Sequence, residues 1–217
     1  MKKVFALTVL VFCAAVTVYA QSGMVKELVG TVELKKPGAA NFVPAGVGDT
    51  LTQDTIISTG FKSTALITVG SSSIIVRPLT RLTLAELSSG AGTETINVNL
   101  QTGRVRVDVN PPAGTRTNMT VRGPSATASV RGTGFDFDTR NLTVRRGKVA
   151  FQGGKGGVML VGAGSASAVE SNGKAADPIT TTTGALTPPP PAGTGSAPAA
   201  KPLPTLAEFT LRLDYPH

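Results

Sequence analysis

Between residues 24 and 162, apolar and polar side chains alternate in short runs, and Gly or Pro separates one run from the next. A two-residue period puts successive side chains on opposite faces of an extended chain, so these runs predict half-buried β-strands. Residues 96–100 and 104–109 show the alternation most clearly, with Gln101, Thr102 and Gly103 as the turn between them. The stretches 65–69, 74–77, 82–87, 126–130, 134–138, 142–144 and 149–151 continue the series, often at spacings of about 8–12 residues. Helix-period patterning is almost absent. The pattern predicts one all-β domain over residues 24–162, built of short strands arranged as a sandwich, a barrel or a solenoid. About 140 residues suffice to bury a core without disulfides or metal.

A weak recurrence runs through the domain. Gly30-Thr31-Val32, Gly103-Arg104-Val105 and Gly147-Lys148-Val149 each place Gly before a polar or basic residue and a strand valine. The intervals are unequal, which argues for layers rather than a regular repeat.

The two ends read differently. Lys2 and Lys3 precede an apolar run to Val18, and Val18-Tyr19-Ala20 supplies small residues at the positions signal peptidase reads. Residues 1–20 are therefore expected to be a signal peptide cleaved near Ala20, since the run is shorter than the ~20 residues of a membrane span. Cys13 is the one cysteine and falls inside that segment, so the exported chain is expected to hold no disulfide and no thiolate site. After residue 162 the composition shifts to Gly, Ala, Ser and Thr and then to Pro-rich runs. A disordered linker is expected over 163–204. Apolar alternation returns at Phe209, Leu211, Leu213 and Tyr215, so residues 205–217 are expected to form a short strand-like segment.

Charge narrows the function classes. The formal net charge is +8, of which Lys2 and Lys3 belong to the expected leader. With no Trp and two Tyr, the basic residues lack the aromatic platforms on which single-stranded nucleic acid stacks. Attraction to anionic envelope polymers or headgroups is the expected consequence of the charge, and nucleic acid is not an expected partner.

Few residues could carry chemistry. The single histidine is His217 at the terminus, which offers the domain neither a histidine base nor a histidine metal site. Asp136 and Asp138 alternate on one strand within Gly132-Thr133-Gly134-Phe135-Asp136-Phe137-Asp138, a stretch resembling one turn of a calcium-binding nonapeptide. Calcium takes six to eight oxygen ligands, more than one turn supplies. As a glycosidase pair the two carboxylates would stand on one face about 7 Å apart, with nothing else to support the chemistry. The domain is expected to be non-enzymatic and to need no cofactor. Arg104 and Arg106 share a strand face, and Arg131, Arg140, Arg145, Arg146 and Lys148 follow along the chain. Arg104, Arg106, Arg131, Arg145, Arg146 and Lys148 form a candidate basic stripe for an anionic polymer or an acidic partner. The plainer reading pairs these cations with Asp108, Asp136 and Asp138 on a solvated face.

The order of Gly30-Thr31-Val32, Gly48-Asp49-Thr50-Leu51, Asp54 to Thr59 and Ala65 to Ser71 resembles that of a FecR domain, and Leu82-Thr83-Leu84 and Leu100 to Val107 continue the likeness. The most specific piece is the segment Pro124 to Phe135, where Pro124, Val130, Arg131, Gly132, Thr133 and Phe135 match a Pro-led strand ending in Val-Arg-Gly-Thr and an aromatic. Val69-Gly70-Ser71 departs from the pattern, which has Asp before the Gly. The resemblance implies an extracytoplasmic β-rich module whose short strands follow a twisted, β-solenoid-like path, with a β-sandwich as the alternative. In founding members that module looks like the outer half of a membrane regulator that hears an outer-membrane transporter and controls a sigma factor. This sequence shows no cytoplasmic domain ahead of its apolar run, so direct contact with a sigma factor is not expected. The expected function is a non-catalytic exported module, in the periplasm or at the cell surface, for protein interaction, envelope scaffolding or signal sensing through a partner. Two alternatives are a carbohydrate-binding or carbohydrate-active β-solenoid and a secreted structural or adhesive subunit.

Overall fold

A computed structural model describes residues 19–180. Residues 1–18 of the expected signal peptide, the Pro-rich stretch and the strand-like segment 205–217 lie outside the described residues. The described chain is all-β, in two sheets that are not closed into a barrel.

The first sheet runs, edge to edge, through β17 (Met159–Gly162), β16 (Lys148–Gly153), β13 (Ala126–Val130), β12 (Arg116–Arg122), β10 (Thr93–Thr102), β9 (Arg81–Gly90), β6 (Ile56–Thr59), β3 (Val32–Lys35) and β4 (Val43–Pro44). A short β1 (Tyr19–Ala20) pairs with β9 off this path. The second sheet runs through β19 (Ile179–Thr180), β18 (Ser165–Ala168), β15 (Asn141–Arg146), β14 (Gly134–Asp138), β11 (Arg104–Val109), β8 (Ser72–Val76), β7 (Thr64–Val69), β2 (Gly23–Val29) and β5 (Thr50–Leu51). The chain passes back and forth between the sheets, and from β6 onward each strand is added outboard of strands already laid down. That steady advance is the solenoid-like path, while the two layers are those of a sandwich. Neighbours are antiparallel except β10 and β12, which run parallel because β11 is placed in the other sheet between them.

Alternation builds the core. In β11, Val105, Val107 and Val109 point inward and are buried, as are Phe135 and Phe137 of β14 and Val149 and Phe151 of β16. Inward residues of both sheets form one apolar cluster. Phe137 of the second sheet meets Phe151 of the first edge-to-face, with ring centroids 6.3 Å apart. Fully burying such side chains contributes roughly 1.5–3 kcal/mol each.

The recurrent glycines mark the places where the chain changes sheet. Gly30, Gly103 and Gly147 have φ of 76°, 88° and 78°, values that favour glycine. They lead from β2 to β3, from β10 to β11 and from β15 to β16, always from one sheet into the other. A buried hydroxyl residue packs against each: Ser63 on Gly30, Thr80 on Gly103, Thr133 on Gly147. Ser63 Oγ accepts from the Thr31 N–H at 2.9 Å, and Thr80 Oγ1 accepts from the Arg104 N–H at 3.0 Å. At the third corner Thr133 Oγ1 is buried with no hydrogen-bond partner among the described residues.

The turn expected at Gln101, Thr102 and Gly103 is shorter, since β10 extends to Thr102, and the strands it joins lie in different sheets. The expected linker does not begin at residue 163. Ser165–Ala168 is β18, paired with β15, and Ser167 donates to the Ala176 carbonyl at 2.7 Å. Val169 and Ser167 are buried, and β19 pairs with β18. Small side chains suit a thin outer strand as well as a linker, so composition alone misplaced the boundary.

Candidate functional site

The outer face of β11, β14 and β15 carries the charged cluster. Antiparallel register sets Arg104 opposite Asp138 and Arg106 opposite Asp136, and β15 continues from β14. Directly opposed side chains on one sheet face stand within reach of each other. Arg104 Nη2 lies 3.2 Å from Asp138 Oδ2, and Arg106 Nε lies 2.8 Å from Asp136 Oδ1. Arg145 joins two acids, with Nη2 2.9 Å from Asp108 Oδ2 and Nε 3.1 Å from Asp136 Oδ2. Arg106, Asp136, Arg145 and Asp108 are thus linked in one chain of ion pairs, beside the separate pair of Arg104 and Asp138.

The electrostatics follow from this lattice. The hydrogen bond to Asp136 raises the Arg106 guanidinium further above its ordinary value, burial opposes this, and the charges of Asp136 and Asp108 assist it. Burial pushes the Asp138 carboxyl up, but hydrogen bonds from Asn141, from the Arg140 N–H and from Arg104 together outweigh it and hold the carboxyl below its ordinary value. Both carboxylates that sequence reading offered as a catalytic pair therefore serve as acceptors for cations. Among the described residues no group of three or more His, Cys, Asp or Glu is placed to hold a metal ion.

An open groove of about 940 Å³ lies at one end of this lattice, lined by Arg77, Leu79, Arg104, Arg106, Asp136, Asp138, Asn141 and Thr143 among others. Arg77 was not singled out by the sequence. Its Nε is buried without a partner among the described residues.

The six cations of the candidate stripe do not form one surface. Arg104, Arg106 and Arg145 are held by aspartates, and Arg146 donates to Asn110 Oδ1. Lys148 opens β16 of the other sheet and Arg131 directly follows the end of β13, and both line a trough of about 510 Å³ with Thr120, Ser129, Ala150 and Leu160. Neither has an acidic partner within salt-bridge distance among the described residues.

The signature residues build a crossing between sheets. Val130 ends β13 in the core, Arg131 is exposed, Gly132 turns the chain at φ 134°, Thr133 is buried beneath Gly147, and Phe135 is fully buried in β14. Pro124 is exposed ahead of β13. The Thr133 carbonyl accepts from the Val109 N–H at 2.9 Å, which ties the crossing to β11.

Sequence reading also missed Glu94. This β10 carboxylate accepts from Ser71 Oγ at 2.6 Å, the Ser71 N–H at 3.2 Å, Thr117 Oγ1 at 3.0 Å and Gln21 Nε2 at 3.2 Å. It clamps the β7–β8 turn of the second sheet to the first. Burial pushes its carboxyl up, and the bonds from Ser71, Thr117 and Gln21 bring it below its ordinary value. A lone Glu in a Thr-rich strand gave no signal of this, because its partners lie 23 and 73 residues away.

A two-sheet all-β module with a Pro-led strand, a Val-Arg-Gly-Thr crossing and a self-paired charged face defines the class of protein. Residues 55–155 match the family model described as FecR protein, and the chain carries a FecR domain. The match spans β6 to β16, and β2 and β3 continue the same two sheets ahead of it. No curated protein matches the sequence. Two crystal structures of a "putative anti-sigma factor" from Parabacteroides distasonis ATCC 8503 are similar, each at 19% identity and TM-score 0.47, over 58% of this chain. The chain spans 59% of the length of that protein. No helix among the described residues is long and apolar enough to cross a membrane.

Proposed function

We propose that this chain is an exported, non-catalytic FecR module that binds an envelope protein and works in signal sensing through that partner. The FecR domain over residues 55–155 is the observation that carries the reading. The geometry favours binding over catalysis: Asp108, Asp136 and Asp138 are each tied to arginine by an ion pair. The expected leader at residues 1–20 assigns it to the periplasm or the cell surface.

The test is a crosslinking pull-down of the protein from its native envelope, beside a version ending at residue 180, with captured molecules identified by mass. Recovery of one specific protein by both versions is the expected result. Recovery of glycan alone would replace this reading with the carbohydrate-binding one.

A further inference from the structure

We propose that β17 is a docking edge for an extended acidic segment of a protein partner, which adds as an outer strand and sets its carboxylates against Lys148 and Arg131. The proposal rests on the partner-binding reading and names the surface that does the binding.

Three observations converge on this edge. β17 has one neighbour in its sheet, β16, so its outer backbone groups are unpaired among the described residues. Proteins commonly guard such edges with Pro or charge. The opposite edge strand, β4, is two residues long and contains Pro44, whereas Met159–Gly162 carries neither device. Val158 and Leu160 at this edge are 62% and 67% exposed.

The side chains beside the edge fit a particular partner. Leu160 stands opposite Ala150, which stands opposite Ser129, so the trough has a floor of small residues and an apolar outer wall. One step along, Lys148 stands opposite Gly162, and a side-chain carbon at Gly162 would meet nothing within 4 Å. An added strand therefore finds open space across Gly162 through which an acidic side chain reaches Lys148, with Arg131 behind it. Its next same-face residue, one step along, lies against Leu160. Backbone pairing supplies affinity in such strand addition, and the alternate side chains supply selectivity. Arg104, Arg106 and Arg145 of the second sheet offer no equivalent, because aspartates already neutralise them.

The experiment titrates the full-length chain with the fluorescent octapeptide Glu-Thr-Val-Thr-Glu-Thr-Val-Thr, one face of which alternates Glu for Lys148 with Val for Leu160, at low and high salt, with hydrogen exchange recorded on the complex. Salt-sensitive binding and slowed exchange at residues 159–162 are expected, with binding weakened about tenfold in Arg131→Ser/Lys148→Ser and in Leu160→Lys. All three positions are exposed or at an edge, and an unchanged Tm verifies that the variants fold. A Val/Lys peptide should not bind. Absence of Val/Glu binding, or binding without protection of 159–162, would overturn the proposal. So would adsorption to phosphatidylglycerol vesicles through the same two cations in place of the peptide. An envelope protein still captured by Leu160→Lys would leave the partner-binding reading standing and remove this edge from it.

Discussion

Thr133 packs directly against Gly147: a side-chain carbon at Gly147 would stand 2.5 Å from Thr133 Cγ2. The contact joins the signature segment to the corner where the chain leaves β15 for β16, and it makes the corner intolerant of any larger residue. Gly147→Ala adds a clash to the strain of a positive φ and is expected to lower stability by roughly 2–3 kcal/mol. Gly38, at φ 73° with nothing within 4 Å, provides the control. Gly38→Ala should cost only about 1 kcal/mol, the backbone part alone. Equal losses in urea denaturation of the two variants would mean that the contact contributes nothing.

The three corners also separate two uses of a buried hydroxyl. Thr80 Oγ1 accepts from the Arg104 N–H and donates toward carbonyls of Pro78 and Arg104, whereas Thr133 Oγ1 has no partner among the described residues. Thr80→Val should destabilise by about 1–3 kcal/mol, and Thr133→Val should be neutral or mildly stabilising. A marked loss in Thr133→Val, read by thermal melting, would show that its hydroxyl is satisfied in solution.

The interlocked charges make a prediction about adhesion. Asp136 is shared by Arg106 and Arg145, and Asp138 holds Arg104. Asp136→Asn/Asp138→Asn should lower stability by about 1 kcal/mol, as for partly exposed ion pairs. The same variant should be retained more strongly than the parent on an anionic column at low salt, because Arg104 and Arg106 lose their acids and Arg145 keeps only Asp108. Unchanged retention would indicate that the face was available to anions from the start.

Acid should loosen the Glu94 clamp. Its carboxyl lies below the ordinary value of 4.5, so its contribution is complete above that pH and is lost as the pH falls through the lowered folded value. Asp138, below its ordinary 3.8, acts in the same direction at more acid pH. Melting temperature followed downward from neutral pH should decline in the parent, and Glu94→Gln should flatten the first part of that decline. A parallel decline in both proteins would remove Glu94 as the cause.

The strand pattern was legible wherever apolar side chains alternate without interruption, and residues 104–109 and 134–138 are strands with those limits. It was hidden where the inward positions are filled by Thr, as at Thr117 in β12, or where a bulge shifts the register, as between Val25 and Glu27 in β2. The glycine recurrence was visible as letters. Its meaning, a change of sheet under a buried hydroxyl, depends on contacts such as Thr31 with Ser63, 32 residues apart. The basic stripe failed for the same reason. Arg104 and Arg131 look alike in the sequence, yet one lies opposite Asp138 and the other follows β13 in the crossing between sheets, beside a different trough.

The advance of both sheets from one edge to the other has a consequence for how the chain is made. A polypeptide delivered amino end first finds, for every strand from β6 to β19, a neighbour that has already emerged. Loop closure is then short at each step, and little apolar surface waits for a distant partner. Assembly can keep pace with delivery, and an interrupted chain would leave a shorter stack of paired strands rather than a scattered set of unpaired ones.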